Sequence, residues 1–402
     1  MPAKVNHILL KGIQIYSEGK IIENGYIKIK NQKIAELGVI DELLNTNEYE
    51  TIELSSHYKA IPGFIDVHIH GVNGADVMDA TPEALKNMAE TLPKEGTTSF
   101  LATTMTQDKT EIEKALINAG NYIETQSTQE SAEVLGIHLE GPFVNKKRAG
   151  AQPLEHIIDP NLSLFKKWQE LSKGNIKLVT LAPERPGGLG LIHYLKENGI
   201  IASIGHTDAV YDEVIAAIDA GANHVTHLFN QMRGLHHREP GVAGAALLRD
   251  ELIVEMIVDG VHIRPEMIEF AYKLKRKEGL ILITDSMRAK CLKNGIYDLG
   301  GQQVTVKDGR AFLDDDTLAG SILRLGDAVK NLLSFTECSL EDAIEMVSVN
   351  PAKQLNIYDR KGSISVGKDA DIVVLDDQLD VFMTICRGAV AFKKGGKLNE
   401  NH

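Results

Sequence analysis

His68 and His70 stand two residues apart at the end of a short apolar run, and residues i and i+2 of a strand point to the same face. Two imidazoles so placed can share one site; the plainer alternative is a pair of polar strand-end residues held by their neighbours. Residues of the same chemical kind end or follow other apolar runs: Glu140, His206, His227, the pair Asp259 and His262, and Asp285. Glutamate with imidazoles and no thiolate is a mixed N/O donor set that suits zinc, and iron or manganese nearly as well. A metal with an open position lowers the pKa of a bound water to about 7, and a carboxylate beside it can take the proton. That combination is hydrolysis chemistry.

Each residue has a blander reading. Glu140 precedes Gly141-Pro142 and shares a strand face with His138, so it could be a salt-bridged or capping acid. Thr207 and Asp208 behind His206 are explained as helix caps, but His206 is not. His224, three residues before His227 at the start of its run, reads as a structural histidine. Asp285 ends the very apolar stretch Leu280-Ile281-Leu282-Ile283, where an ionised carboxylate is poorly solvated unless it is paired or functional.

These residues are scattered over some two hundred positions, so the fold must bring them together. Eight short apolar runs (64–68, 98–102, 134–139, 176–181, 200–204, 224–227, 252–258 and 280–284) alternate with helix candidates such as 82–92 and 211–220. Eight such alternations predict a (β/α)₈ TIM-type barrel, whose strand C-termini converge on one mouth. The alternative, a doubly wound open sheet, lacks a Gly-x-Gly-x-x-Gly after the first run, and there is no Walker-type loop. Strand-like patterns crowd both ends of the chain. They predict a small β-sandwich domain built from residues 1–61 and 358–402 around a catalytic barrel of residues 62–357.

Composition narrows the partners. The 402 residues carry 43 Lys and Arg against 56 Asp and Glu, a formal charge of −13. That balance opposes a nucleic-acid or anionic-membrane binder, both of which need a positive footprint. No apolar run reaches the ~18 residues of a membrane span, and the start of the chain has no leader-like apolar region. Cys291, Cys338 and Cys386 are few and far apart, which suits a reducing, cytoplasmic setting.

The motifs 62–71 (PGFIDVHIHG), 138–143 (HLEGPF), 205–207 (GHT), 226–232 (THLFNQM), 258–262 (VDGVH), 284–286 (TDS) and 318–321 (LAGS) together resemble the amidohydrolase superfamily. Within it, they are most similar to the deacetylases of N-acetylglucosamine 6-phosphate. The resemblance implies that Glu140, His206 and His227 bind a principal divalent metal (Zn, Fe or Mn) and that Asp285 is the catalytic acid/base. It further implies sugar-phosphate contacts from Ala151, Asn230, Gln231, Asp259, His262, Leu318, Ala319 and Gly320. Arg238 would bind the phosphate across a homodimer interface. Some relatives lack the His-x-His pair and use one metal; this chain keeps His68 and His70, which leaves room for a second. Where some relatives carry a histidine after the Gly-Pro-Phe loop, this chain has Gln152.

Two rival readings remain at this stage. A cyclic amidase or deaminase of the same superfamily would fit the barrel, although no bridging lysine is evident where Glu140 stands. A catalytically silent scaffold would be expected to have lost a site residue, and Glu140, His206, His227 and Asp285 are all present. The net charge poses a further question, because a protein at −13 repels a sugar phosphate unless a local cation compensates. Two clusters offer one: 146–148 (KKR) and 233–238 (RGLHHR).

Overall fold

A computed structural model describes residues 7–126 and 130–395. The extreme ends of the expected β unit, 1–6 and 396–402, lie outside the described residues. All eight expected barrel strands form, as one parallel sheet: Phe64–Ile69, Thr97–Thr104, Glu133–Glu140, Ile176–Leu181, Ile201–Ile204, His224–Val225, Ile253–Ile257 and Leu280–Ile283. Parallel strands covered by helices are buried on both faces, which is why they appear in sequence as unbroken apolar runs. Every residue of Phe64–Ile69 and of Thr97–Thr104 is buried. The helices end where local chemistry says they should. Thr81 caps Pro82–Thr91 by accepting the Ala84 N–H at 3.2 Å, and Tyr211–Ala220 stops at Gly221, whose φ is 120°.

The first and eighth strands close the barrel through the residues just beyond the ladder. Asp285 donates its N–H to the His68 carbonyl at 2.8 Å, and His70 donates to the Ser286 carbonyl at 2.9 Å. Lower down, the buried Asp66 accepts the N–H of His68 (3.2 Å) and the hydroxyl of Thr284 (2.5 Å). Closure of the barrel and assembly of the His68, His70 and Asp285 group are therefore one structural event.

Strands from both chain ends share a second, eight-stranded sheet. Its path runs Ala389–Lys393, Val381–Cys386, Ile372–Leu375, Lys59–Pro62, Ile8–Ser17, Lys20–Lys30 and Lys33–Val39, with Glu50–Glu53 also paired to Ile8–Ser17. It encloses its own apolar cluster, including Leu10, Ile13, Ile27, Ile372 and Ile385. A third element, absent from the sequence-based expectations, is a three-stranded antiparallel flap of Gly295–Leu299, Gln302–Lys307 and Arg310–Phe312.

A cluster of charges docks the returning chain on the barrel. Glu133, at the start of the third barrel strand, receives a two-pronged contact from Arg360 (2.9 and 3.0 Å) and lies 2.9 Å from Lys361 and 3.2 Å from Arg387. Burial works to raise the Glu133 carboxyl, but the Lys361 and Arg360 charges prevail and hold it at about 2. A carboxyl depressed in the folded state contributes stability that is fully present above its ordinary value and is lost as pH falls toward the depressed one. Glu133→Gln should therefore lower stability by about 2 kcal/mol at neutral pH, and the gap between the variant and the parent should shrink as pH drops from about 4.5 toward 3. Urea midpoints of both proteins across that range check this; a gap that stays constant with pH would show that Glu133 contributes by shape rather than charge.

Candidate active site

The strand ends deliver six metal-capable side chains to one mouth. Glu140 Oε1 lies 3.2 Å from His206 Nε2, 3.2 Å from His227 Nε2 and 3.4 Å from His68 Nε2. Glu140 Oε2 lies 3.3 Å from His70 Nε2. Asp285 Oδ1 stands 3.5 Å from His68 Nε2 and 3.3 Å from His70 Nε2. Two donor groups result, Glu140 with His206 and His227, and His68 with His70 and Asp285, and Glu140 faces both. Five of the six are buried, and the Asp285 side chain is 13% exposed.

The donor geometry fits metal ions. His206 Nε2 and His227 Nε2 face each other at 3.1 Å. Ligands held about 2.0–2.1 Å from a tetrahedral ion stand about 3.3–3.4 Å apart, close to the separations in both groups. His68 Nε2 is buried and finds no hydrogen-bond partner among the described residues, though two carboxylate oxygens lie near it. An orphaned imidazole nitrogen aimed at convergent carboxylates is what a metal site looks like without its ion. Burial alone would raise Glu140, but the His68, His206 and His227 imidazoles hold its carboxyl well below the usual range. Asp285 is likewise lowered, with burial opposing and His68 and His70 prevailing.

Backbone conformation is strained where the ligand candidates sit. His206, His227 and Asp285 adopt positive φ of 46°, 29° and 47°, a left-handed region that few non-glycine residues occupy. Each turn stops a strand and swings its side chain inward, and strain of this kind persists only where the surroundings over-determine it. Here small neighbours make room. A Cβ on Gly205 would come within 2.7 Å of Thr180 and Thr226 side-chain atoms, so the chain before His206 can pass only as glycine. Gly141, at φ 69°, has Thr106 Oγ1 only 2.0 Å from where a Cβ would stand.

The cavity over these groups is lined by His70, Glu140, His206, His227 and Asp285 together with Ala151, Gln152, Asn230, Gln231, His262, Leu318 and Gly320. Met105 and Leu299 complete it, the latter from the flap. The other expected residues fall elsewhere. Asp259 sits behind His262, with its Oδ2 at 2.7 Å from His262 Nδ1 and its Oδ1 accepting two backbone N–H groups. Burial would lower His262, but the bond to Asp259 raises it. Ala319, fully buried, packs in a separate cluster with Met287 and Leu299. Arg238 lies on an exposed loop outside the cavity lining, and that lining includes neither Lys nor Arg. His224 is structural as expected, with Nδ1 at 2.9 Å from Ser203 Oγ. His138 is buried between Thr103 and Thr180, and burial together with the His68 charge depresses it well below the ordinary histidine value.

Three residues support the candidate ligands in ways the sequence did not suggest. Gln152 donates from Nε2 to Glu140 Oε2 at 2.9 Å and accepts the Thr106 N–H on Oε1 at 2.9 Å, which fixes both its own amide and the Glu140 carboxylate. The Arg148 carbonyl stands 2.8 Å from His206 Nδ1. Glu255, fully buried in the seventh barrel strand, touches His68. Its signal was available, since it is an acid inside the apolar run Leu252-Ile253-Val254-Glu255-Met256-Ile257-Val258.

A closed parallel barrel with two N/O donor groups sharing a carboxylate at its C-terminal mouth defines a metal-dependent hydrolase type of site. The sequence model of the amidohydrolase family matches residues 60–395, and the chain belongs to that family. It is 50% identical to the N-acetylglucosamine-6-phosphate deacetylase of Bacillus subtilis (strain 168), over 96% of this chain and 97% of that protein. It is 44% identical to the enzyme of the same description from Lysinibacillus sphaericus, over 95% and 97% of the two chains. Among solved structures, it is similar to a mutant N-acetyl-D-glucosamine-6-phosphate deacetylase from Mycobacterium smegmatis in complex with N-acetyl-D-glucosamine-6-phosphate. That match has a TM-score of 0.90 and 30% identity, covering 96% of this chain and 100% of that one.

Proposed function

We propose that this chain deacetylates N-acetylglucosamine 6-phosphate, producing glucosamine 6-phosphate and acetate. The observation that carries the reading is the sharing of Glu140 between two donor groups, with Asp285 on the rim of the same cavity. The near full-length similarity to deacetylases of this substrate supports the choice of sugar phosphate.

In this reading, Glu140, His206 and His227 hold one divalent ion, and His68, His70 and Asp285 hold a second, of zinc, iron or manganese. When bound, such ions supply Lewis acidity to the amide carbonyl and acidify water. The protein groups do the rest. Asp285 presents Oδ1 to His68 and His70, leaving Oδ2 to take a proton from the attacking water and hand it to the departing amine nitrogen. His262, steadied by Asp259, and the Asn230 and Gln231 segment orient the sugar, while Ala151, Leu318 and Gly320 form its wall, backed by Ala319. Gln152 holds the Glu140 carboxylate in the orientation that turns Oε1 to His206 and His227 and Oε2 to His70.

For the phosphate, this reading invokes a homodimer. Arg148 and Arg233 are both engaged by Asp208, at 2.9 Å and 2.7 Å, so neither cluster offers a free guanidinium to the cavity from these two positions. Arg238 is exposed, and Leu235 (56%) and Leu248 (62%) expose apolar surface around the same region, which suits a contact between two copies. A cytoplasmic setting accords with the three free cysteines, and no helix among the described residues is long and apolar enough to cross a membrane.

Acetate release tests the proposal. The highest kcat/KM is expected on N-acetylglucosamine 6-phosphate, with a lower one on N-acetylgalactosamine 6-phosphate and the lowest on unphosphorylated N-acetylglucosamine. A higher kcat/KM on a cyclic amide such as a dihydropyrimidine, followed by its ring opening, would overturn the substrate assignment and leave only the hydrolase class.

A further inference from the structure

Glu255 is a carboxylate sealed in the barrel wall, 0% exposed, on the strand Ile253–Ile257. Isolated burial of an ionised acid is costly, so its partners define its purpose. Its Oε2 lies 2.9 Å from His68 Nδ1 and accepts the backbone N–H of His227 at 3.1 Å. Its Oε1 finds no hydrogen-bond partner among the described residues, and His224 Nε2 lies 3.9 Å from it. An ionised carboxylate has no hydrogen to give. His68 Nδ1 therefore carries a proton toward Glu255, which leaves Nε2, facing Glu140 Oε1 and Asp285 Oδ1 at 3.4 and 3.5 Å, as the nitrogen that would ligate an ion there.

The other three imidazoles are supported differently. His206 Nδ1 faces the neutral carbonyl of Arg148 at 2.8 Å. His70 Nδ1 and His227 Nδ1 find no partner among the described residues. Carboxylate support thus falls on a single imidazole, and that imidazole belongs to only one of the two donor groups. A carboxylate behind a ligating histidine fixes the ring and raises the donor strength of its far nitrogen.

We propose that Glu255 is a positioning residue that makes the His68, His70 and Asp285 position depend on a buried negative charge that reaches no imidazole of the Glu140, His206 and His227 position. This inference rests on the two-metal reading above. Its consequence is that the two positions can be emptied separately, the first by neutralising Glu255 without touching any ligand.

Glu255→Gln is the decisive variant, because one oxygen remains to accept both N–H groups while the charge is lost. Zn²⁺ per chain is measured by elemental analysis after equilibration at graded free zinc. The parent should take up two equivalents. In E255Q one equivalent should bind as before and the other about 10–100-fold more weakly. H68N should show the same single-site loss, and adding E255Q to H68N should change nothing further. Superimposable uptake curves for parent and E255Q overturn the proposal, as does a further loss in the double variant, which would mark a general structural role. A parent that takes up only one equivalent overturns the two-metal reading itself, and the proposal with it, before any substitution is compared. If E255Q does not fold, the parent protein decides alone. In ¹⁵N-histidine-labelled, zinc-loaded protein, the exchange-protected imidazole resonance that disappears in H68N should carry its proton on Nδ1, and a proton on Nε2 would refute the assignment.

Discussion

Asp285→Asn should lower kcat on N-acetylglucosamine 6-phosphate by about 10²–10⁴-fold, the range that a positioned acid/base group contributes. The geometry separates this loss from simple loss of metal. An asparagine retains an oxygen where Oδ1 faces His68 and His70, so that position keeps a neutral donor, and the Glu140, His206 and His227 group is untouched. What the variant cannot do is accept a proton. Turnover measured with metal added to saturation, alongside metal content per chain, distinguishes the two. Turnover near the parent value would remove Asp285 from the proton path. A deficit that added metal repairs would reduce Asp285 to a ligand.

The placement of Asp285 also shows how far a linear chain announces its own site. Its appearance after Leu280–Ile283 was legible because a fully buried parallel strand is an apolar run, and an acid at the end of one is conspicuous. The same logic located all eight barrel strands and the His68, His70, Glu140, His206 and His227 positions. What it could not reveal is the turn each chain makes there. The expected run 224–227 is in fact a strand of only two residues, His224–Val225, because the backbone leaves the ladder and reaches φ 29° at His227. That strain is imposed by tertiary packing, and no local pattern encodes it.

Second-layer partners were hidden for a related reason. Glu255 sits within an apolar run, and a strand pattern treats one polar residue in seven as an interruption rather than a signal. Only the spatial meeting of the first, sixth and seventh strands gives it His68 and the His227 amide as partners. Gln152 follows the same rule, as its two bonds reach Thr106 and Glu140 from a separate loop. The flap was missed because its strands mix exposed and buried residues over stretches of only three to six residues. Yet it supplies Leu299 to the cavity, and Gln302 donates to the Ala151 carbonyl at 2.5 Å.

Arg238→Ala should lower kcat/KM on the 6-phosphate by roughly 100-fold, mostly through KM, and leave the slow hydrolysis of unphosphorylated N-acetylglucosamine nearly unchanged. The size follows from two charge-assisted hydrogen bonds between a planar guanidinium and a phosphate, each worth about 1.5–3 kcal/mol before desolvation is subtracted. A chain with formal charge −13 needs such a compensating group, and the cavity lining supplies no Lys or Arg. The competing explanation, that Arg238 merely pairs with Glu239, is weakened by the geometry. Glu239 Oε1 already accepts the N–H groups of Tyr211 (2.8 Å) and Gly241 (3.0 Å), while Arg238 contacts His237 Nε2 at 2.8 Å on an exposed loop. If the guanidinium serves the neighbouring copy, defects in different chains should complement. In a random mixed dimer of R238A and D285N chains, one site combines an intact Asp285 with an intact Arg238 from its partner and the other has neither, so an equal mixture should recover about one quarter of parent activity. At substrate well below the parent KM, neither variant alone should approach that value. Mixing after dissociation and reassembly, followed by assay on the 6-phosphate, reads this directly. No recovery would place Arg238 in its own chain's site or outside phosphate binding, and an equal loss on both substrates would mean that it supports the fold or the chemistry instead.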